Sequence, residues 1–126
     1  MPGGEGFTPS QRAQIDRAIR AAETTCRYEF SVYVGAAEEP PRAFAERLLG
    51  SLVAPDRSVL IMVDPVQRVL EVVTGAEVRR ELDDHEVALA VVEMRTHFER
   101  GDICDGLVRG INMLAAHARK PPTLHT

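Results

Sequence analysis

Ser58-Val-Leu-Ile-Met-Val-Asp64, Pro65-Val-Gln-Arg68, Val69-Leu-Glu-Val-Val-Thr-Gly75 carries the main fold signal of the chain. Val59 to Val63 is an unbroken apolar run, the pattern of a strand covered on both faces. Val69 to Thr74 is rich in β-branched residues, which suit a pleated, half-buried surface, and carries Glu71 among them. The link between the two runs contains a proline and is short enough for an antiparallel return. Two strands, about 58–64 and 69–75, are therefore expected side by side.

Upstream, Arg27 to Gly35 alternates: Tyr28, Phe30, Val32 and Val34 share one face, and Glu29, Ser31 and Tyr33 the other. This predicts a third strand over about 27–35, half-buried. Between it and Ser58 lies a helical stripe of Phe44, Leu48, Leu49 and Leu52, with Glu38 and Glu39 placed at its positive end. A helix between two strands implies a right-handed crossover, so strands 27–35 and 58–64 should be parallel, and 69–75 antiparallel to 58–64.

The flanking helices are marked at their ends. Thr8-Pro9-Ser10-Gln11 is a capping box with proline in the first turn, followed by Ile15, Ala18, Ile19 and Ala22 on one face. Ala76 to Glu81 fits a short helical piece. Leu82-Asp83-Asp84-His85-Glu86-Val87 combines a second capping box with a hydrophobic staple. The helix after it is so apolar from Val87 to Met94 that deep burial against the sheet is expected. Gly101 suits a left-handed helix stop, and Asp102 is expected to cap a last helix with a face of Leu107, Val108, Ile111, Leu114, Ala115 and Ala118. Pro121-Pro122 should end it. The fold class is thus α/β: a small mixed β-sheet covered by about four to five helices, which the family resemblance given below makes a three-layer α/β/α sandwich. Residues 1–7 read as a flexible N-terminus, 8–118 as one domain and 119–126 as a flexible tail.

The composition excludes several functions. The 126 residues carry a net charge of -4, with Lys120 the single lysine and no basic block. Nucleic acid needs a concentrated basic face, so it is not an expected partner. No apolar run approaches the length of an integral membrane segment, and no export signal is apparent. A cytoplasmic protein is the expectation. Cys26 and Cys104 fit no metal or redox spacing and read as free, buried thiols, with no disulfide expected.

The chemistry-bearing residues are few. Ligands of α/β sheets favour the carboxyl ends of parallel strands, which here bring Asp64 together with Glu38 and Glu39. Such carboxylates are the hard oxygen ligands that Ca²⁺ or Mg²⁺ takes. Each also has a local structural role, since Asp64 can open the turn at Pro65, and Glu38 and Glu39 can serve a helix dipole. Gly101, Asp102 and Asp105 form a turn that could contact a ligand. Glu71 lies mid-strand, either facing solvent or a neighbouring basic side chain, or held as a buried acid. His85, His97, His117 and His125 are scattered, and no nucleophile elbow, phosphate loop or zinc motif occurs.

The order of elements and three strings resemble the TPM-domain family over Arg27 to Ala118. The strings are Val59–Asp64 with Val69–Gly75, Leu82-Asp83-Asp84 opening a helix, and the turn Gly101, Asp102, Gly106, Leu107. The Arg- and Val-rich composition is similar to that of a small actinobacterial branch of unknown function. The resemblance implies a three-layer fold and roles that range from weak thylakoid-lumen acid phosphatase to photosystem repair, some with Ca²⁺ sites. The chain departs from it where Ala76-Glu77-Val78 follows Gly75 in place of a second glycine. The function expected is a non-catalytic module that binds a protein partner or regulates it. The rival is a divalent-metal-dependent phosphatase-like hydrolase of low activity using Asp64 with Glu38 or Glu39.

Overall fold

In the computed structural model, which describes residues 6–119, a three-stranded sheet carries helices on both faces. The elements run α1 (Pro9–Cys26), β1 (Glu29–Val34), α2 (Pro41–Gly50), β2 (Ser58–Asp64), β3 (Val69–Thr74), α3 (Asp84–Phe98) and α4 (Ile103–Ala118). Short 3₁₀ turns at Pro55–Arg57 and Val78–Arg80 complete the order. Residues 120–126 of the expected tail, with Pro121-Pro122 and His125, lie outside the described residues, as does the chain before Gly6. Phe7, assigned from sequence to a flexible end, packs against the core.

The sheet order is β1-β2-β3, parallel between β1 and β2 and antiparallel between β2 and β3, as the strand patterns require. Every residue of β2 is buried, because helices cover both of its faces. Phe30, Val32, Val34, Val59, Ile61, Val63, Leu70 and Val72 point into the larger core under α1, α3 and α4. Leu60, Met62 and Val73 point the other way, against Ala45, Phe44 and Leu48 of α2. One-residue alternation along each strand therefore sorts the side chains into two cores.

The exposed edge of β3 is partly capped. Arg42 of α2 donates to the Val72 carbonyl at 3.0 Å and to Glu71 at 3.2 Å, and Arg79 donates to the Thr74 carbonyl. These guanidinium groups occupy acceptors that another strand would otherwise use. Glu71 is accordingly half-buried and paired with a basic neighbour.

Helix ends follow their local signals with two exceptions. Both capping boxes form: Thr8 with Gln11, and Asp83 with Glu86 at 2.8 and 3.0 Å. Asp83→Ala should lower unfolding free energy by about 1 kcal/mol in a urea melt, the usual worth of such a cap. Gly101 adopts φ +82 and turns the chain out of α3. Asp102 stands at the N-cap position of α4, but its side chain makes no capping hydrogen bond. Its backbone has already turned to let its amide reach the His97 carbonyl at 3.0 Å. Likewise, α2 begins at Pro41 with no acidic residue in its first turn, so Glu38 and Glu39 precede the helix. Glu38 instead pairs with Arg47 at 2.9 Å.

The larger correction concerns α3. Only Ala90 and Met94 of that helix are fully buried, while Leu89 is 43% and Val92 63% exposed. The deeply buried helix is α4, which lies between α1 and α3 and contributes Leu107, Ile111, Leu114 and Ala118 to the core. Helices α3 and α4 pack closely because Gly106 and Gly110 face Phe98 and Met94, leaving no room for a Cβ. Glu93–Arg109 and Glu86–His117, both at 3.2 Å, tie the same pair together. Packed between α1 and α3, α4 fills the interior, while α3, which also meets β3, keeps Leu89 and Val92 on its solvent side.

Candidate functional site

The two ends of the sheet differ. At the end where β2 begins, Arg57 lies over the Tyr28 ring at 5.1 Å, donates to the Arg27 carbonyl at 2.7 Å and pairs with Glu77. Gly75 is pressed against the backbone of the Pro55–Arg57 turn. That end is closed. At the other end, the β2–β3 turn and the α3–α4 turn stand apart and leave a cleft of about 510 Å³.

The cleft's base is Val63 and Leu70, which are buried, with Val69, Phe98 and Ile103 half-buried beside them. Pro65, Arg68, Arg95, Glu99 and Gly101 are exposed and form its rim. Neither the Arg68 nor the Arg95 guanidinium has a hydrogen-bond or ion-pair partner among the described residues. Arg68 closes the β2–β3 turn with φ 58, a left-handed conformation. Such backbone costs a residue with a Cβ of the order of 1 kcal/mol and is adopted more readily by Gly or Asn.

Asp64 also lines the cleft, yet it is only 1% exposed. One carboxylate oxygen accepts from the Val66 and Gln67 amides at 3.0 and 3.1 Å. The other accepts from the Ala37 amide and the Gln67 side chain, both at 2.9 Å. The Ala37 amide above all, with the Gln67 and Val66 donors, holds the carboxyl below its usual pKa against the opposing effect of burial. Asp64 thus joins the loop leaving β1 to the turn leaving β2. Four N–H groups already occupy the directions in which a metal ion would bind.

Glu38 and Glu39 do not line this cleft, and Glu38 is engaged by Arg47 on α2. Among the described residues, no group of three or more His, Cys, Asp or Glu side chains is placed to hold a metal ion. Gly101, Asp102 and Asp105 do come together. They line a second depression of about 240 Å³ with Gln11, Gln14 and Cys104, and Gly101 borders both hollows. The Cys104 thiol donates to the Gln11 carbonyl at 3.7 Å and to the Gln14 side chain at 3.6 Å. Cys26 and Cys104 are both free and buried, and burial pushes both thiols up in pKa, away from the reactive thiolate.

Sequence reasoning singled out Asp64 and the Gly101 turn and did not single out Arg68, Arg95 or Phe98. Nothing local joins two turns separated by the whole of β3 and α3. The one available signal was Arg68 at the end of a tight turn, where Gly or Asn is the usual choice.

Among the described residues, no helix is long and apolar enough to cross a membrane. The NMR structure of the BA42 protein from the psychrophilic bacterium Bizionia argentinensis superposes with a TM-score of 0.80 at 22% identity, covering 90% of this chain and 82% of that one. The N-terminal domain of the cg2496 protein from Corynebacterium glutamicum gives 0.78 at 12% identity, covering 98% and 82%. The N-terminal domain of a P. gingivalis protein gives 0.76 at 18% identity, covering 92% and 78%. These likenesses establish a shared fold. Uncharacterized proteins from two strains of Mycobacterium tuberculosis, CDC 1551 / Oshkosh and ATCC 25618 / H37Rv, are 33% identical over 110 residues, or 87% of this chain. The chain spans 66% of the length of these curated relatives, just under two thirds. The family pattern described as a domain of unknown function, DUF5130, matches residues 2–115, and the chain belongs to that family.

Proposed function

We propose that this domain is a non-catalytic binding module that docks a protein partner on the outer face of α3. The observation that carries this reading is the exposure of Leu89 and Val92, three residues apart on one helix, at 43% and 63%. Single exposed apolar residues are ordinary, but a pair aligned on a helix face is the start of a helix-to-groove or helix-to-helix contact. Ala88, one helical turn before Val92, is also exposed and extends the stripe. Kinship with the TPM domains, read from the Gly75 strand ending and the Gly101–Leu107 turn, belongs to the same reading. So does a cytoplasmic setting in which Cys26 and Cys104 stay reduced.

The test is recovery of a complex from the native lysate on immobilised protein. Val92→Asp is expected to reduce recovery at least tenfold while leaving the thermal midpoint within about 2 °C, since the position is mostly exposed. Val53→Asp, at a side chain 99% exposed and far from α3 in sequence, should leave recovery unchanged. Equal recovery of all three proteins would remove the α3 face as the docking surface.

The rival, a divalent-metal-dependent phosphatase-like hydrolase built on Asp64 with Glu38 or Glu39, has less support. Asp64 already accepts four hydrogen bonds, and Glu38 is paired with Arg47. A selective rise in thermal midpoint with Ca²⁺ or Mg²⁺, of the several degrees expected of a ligand at about a hundred times its dissociation constant, would restore it.

A further inference from the structure

We infer that the cleft between the β2–β3 and α3–α4 turns is a binding site for a small organic monocarboxylate with an apolar body. The inference goes beyond the protein-docking role of α3. Three observations meet there. The hollow, about 510 Å³, is within the size range of small-molecule sites, and its base is apolar: Val63, Leu70, Phe98 and Ile103. Two guanidinium groups at its rim, Arg68 and Arg95, have no partner among the described residues. Finally, Arg68 is held in a left-handed turn conformation that Asn or Gly would adopt at lower cost, which places its side chain at the rim of the hollow.

The charge limits the ligand. Arg68 and Arg95 are opposed by Glu99 and by Asp64, whose carboxylate keeps its negative charge while accepting four N–H donors, so the lining as a whole is neutral. The two guanidinium groups can meet a single anionic group. A dianionic phosphate ester would place its second charge against Glu99 and Asp64. Guanidinium groups suit a carboxylate geometrically, since each can offer it two parallel N–H donors. The apolar body then covers Phe98 and Leu70, excluding water from the pair and strengthening it.

The probe is decanoate, with decanol and decyl phosphate at pH 8 as comparisons, followed by amide chemical shifts of the isotope-labelled protein. Decanoate is expected to shift the amides of Arg68, Leu70, Phe98 and Gly101 saturably, and to bind at least fivefold more tightly than either comparison. Arg68→Asn and Arg95→Gln should each weaken decanoate threefold to tenfold, the range for a partly exposed charge-assisted pair. Glu99→Gln should tighten it by a similar factor. Arg68→Asn should keep or raise the thermal midpoint, because Asn tolerates the left-handed turn, so weaker binding cannot be laid to unfolding.

Equal binding of decanol would reduce the cleft to an apolar hollow and overturn the inference. Stronger binding of decyl phosphate would overturn the choice of a monocarboxylate. Shifts confined to Leu89 and Val92 would overturn the site and leave the α3 face as a general apolar surface. Loss of partner recovery in Val92→Asp with unchanged decanoate binding would show that the two surfaces are separate, so either proposal can fail alone.

Discussion

Gly75→Ala is expected to cost about 4 kcal/mol or more, enough to abolish a cooperative melt in a domain of ordinary stability. A Cβ at this position would fall inside the van der Waals radii of the Pro55 carbonyl oxygen and the Asp56 backbone. Neither neighbour is a side chain that can swing aside. The approach is held by hydrogen bonds on both sides: Gly75 N–H to Ser58 at 2.9 Å, and Glu77 N–H to Asp56 at 3.0 Å. Relief would require moving the turn at Pro55–Arg57, and with it Arg57, its contact with Tyr28 and the first residue of β2. Gly50→Ala is the matched control, since a Cβ there meets nothing within 4 Å and the residue ends α2. It should leave stability unchanged or raise it by up to about 1 kcal/mol, from the better helix propensity of alanine. Urea melts of the two variants measure the difference. A Gly75→Ala protein within about 1 kcal/mol of the parent would mean that the turn yields.

Asp64→Asn should destabilise the domain by about 2–4 kcal/mol, although it replaces only a single heavy atom. The carboxylate accepts two N–H groups on each oxygen. Asparagine must turn an NH₂ group toward one of those pairs, setting donor against donor in a buried place and losing the charge that strengthened the other bonds. The same geometry fixes a pH dependence. The folded-state carboxyl titrates below its ordinary value, with the Ala37 amide the largest cause. A group whose folded pKa is depressed contributes its full stability above the unfolded value, about 3.9, and loses it as pH falls through the folded one. The stability of the parent should therefore fall from about pH 4 downward, and the difference between parent and Asp64→Asn should narrow over the same interval. Denaturant melts at pH 7, 5, 4 and 3 follow it. A constant difference down to pH 3 would mean that Asp64 does not titrate in that window.

The two residues act at opposite ends of β2. Gly75 lets the chain close over the end where β2 begins, and Asp64 fixes the loops at the other. The cleft lies at the Asp64 end. The proposed roles divide along the same line: the apolar stripe on α3 meets a partner, and the cleft beneath the α3–α4 turn takes a carboxylate.

Whatever depends on near neighbours is legible in the linear chain. The capping boxes at Thr8 and Asp83, the left-handed stop at Gly101, the alternation of Phe30, Val32 and Val34, and the tight return at Pro65–Arg68 are all local, each settled by a few adjacent residues. The parallel pairing of β1 and β2 followed from the helix between them. How much of an apolar helix is buried, and which loops meet, was settled by packing. The run from Val87 to Met94 carries no mark saying that α4 will be the more deeply buried helix and leave Leu89 and Val92 outside. Asp64 read first as a turn residue and second as a metal ligand, and nothing local showed that Ala37, 27 residues away, would donate to its carboxylate. The cleft joins Arg68 to Arg95 across two turns that no periodicity connects. Burial and convergence depend on contacts between elements, and a linear pattern records only the spacing within each.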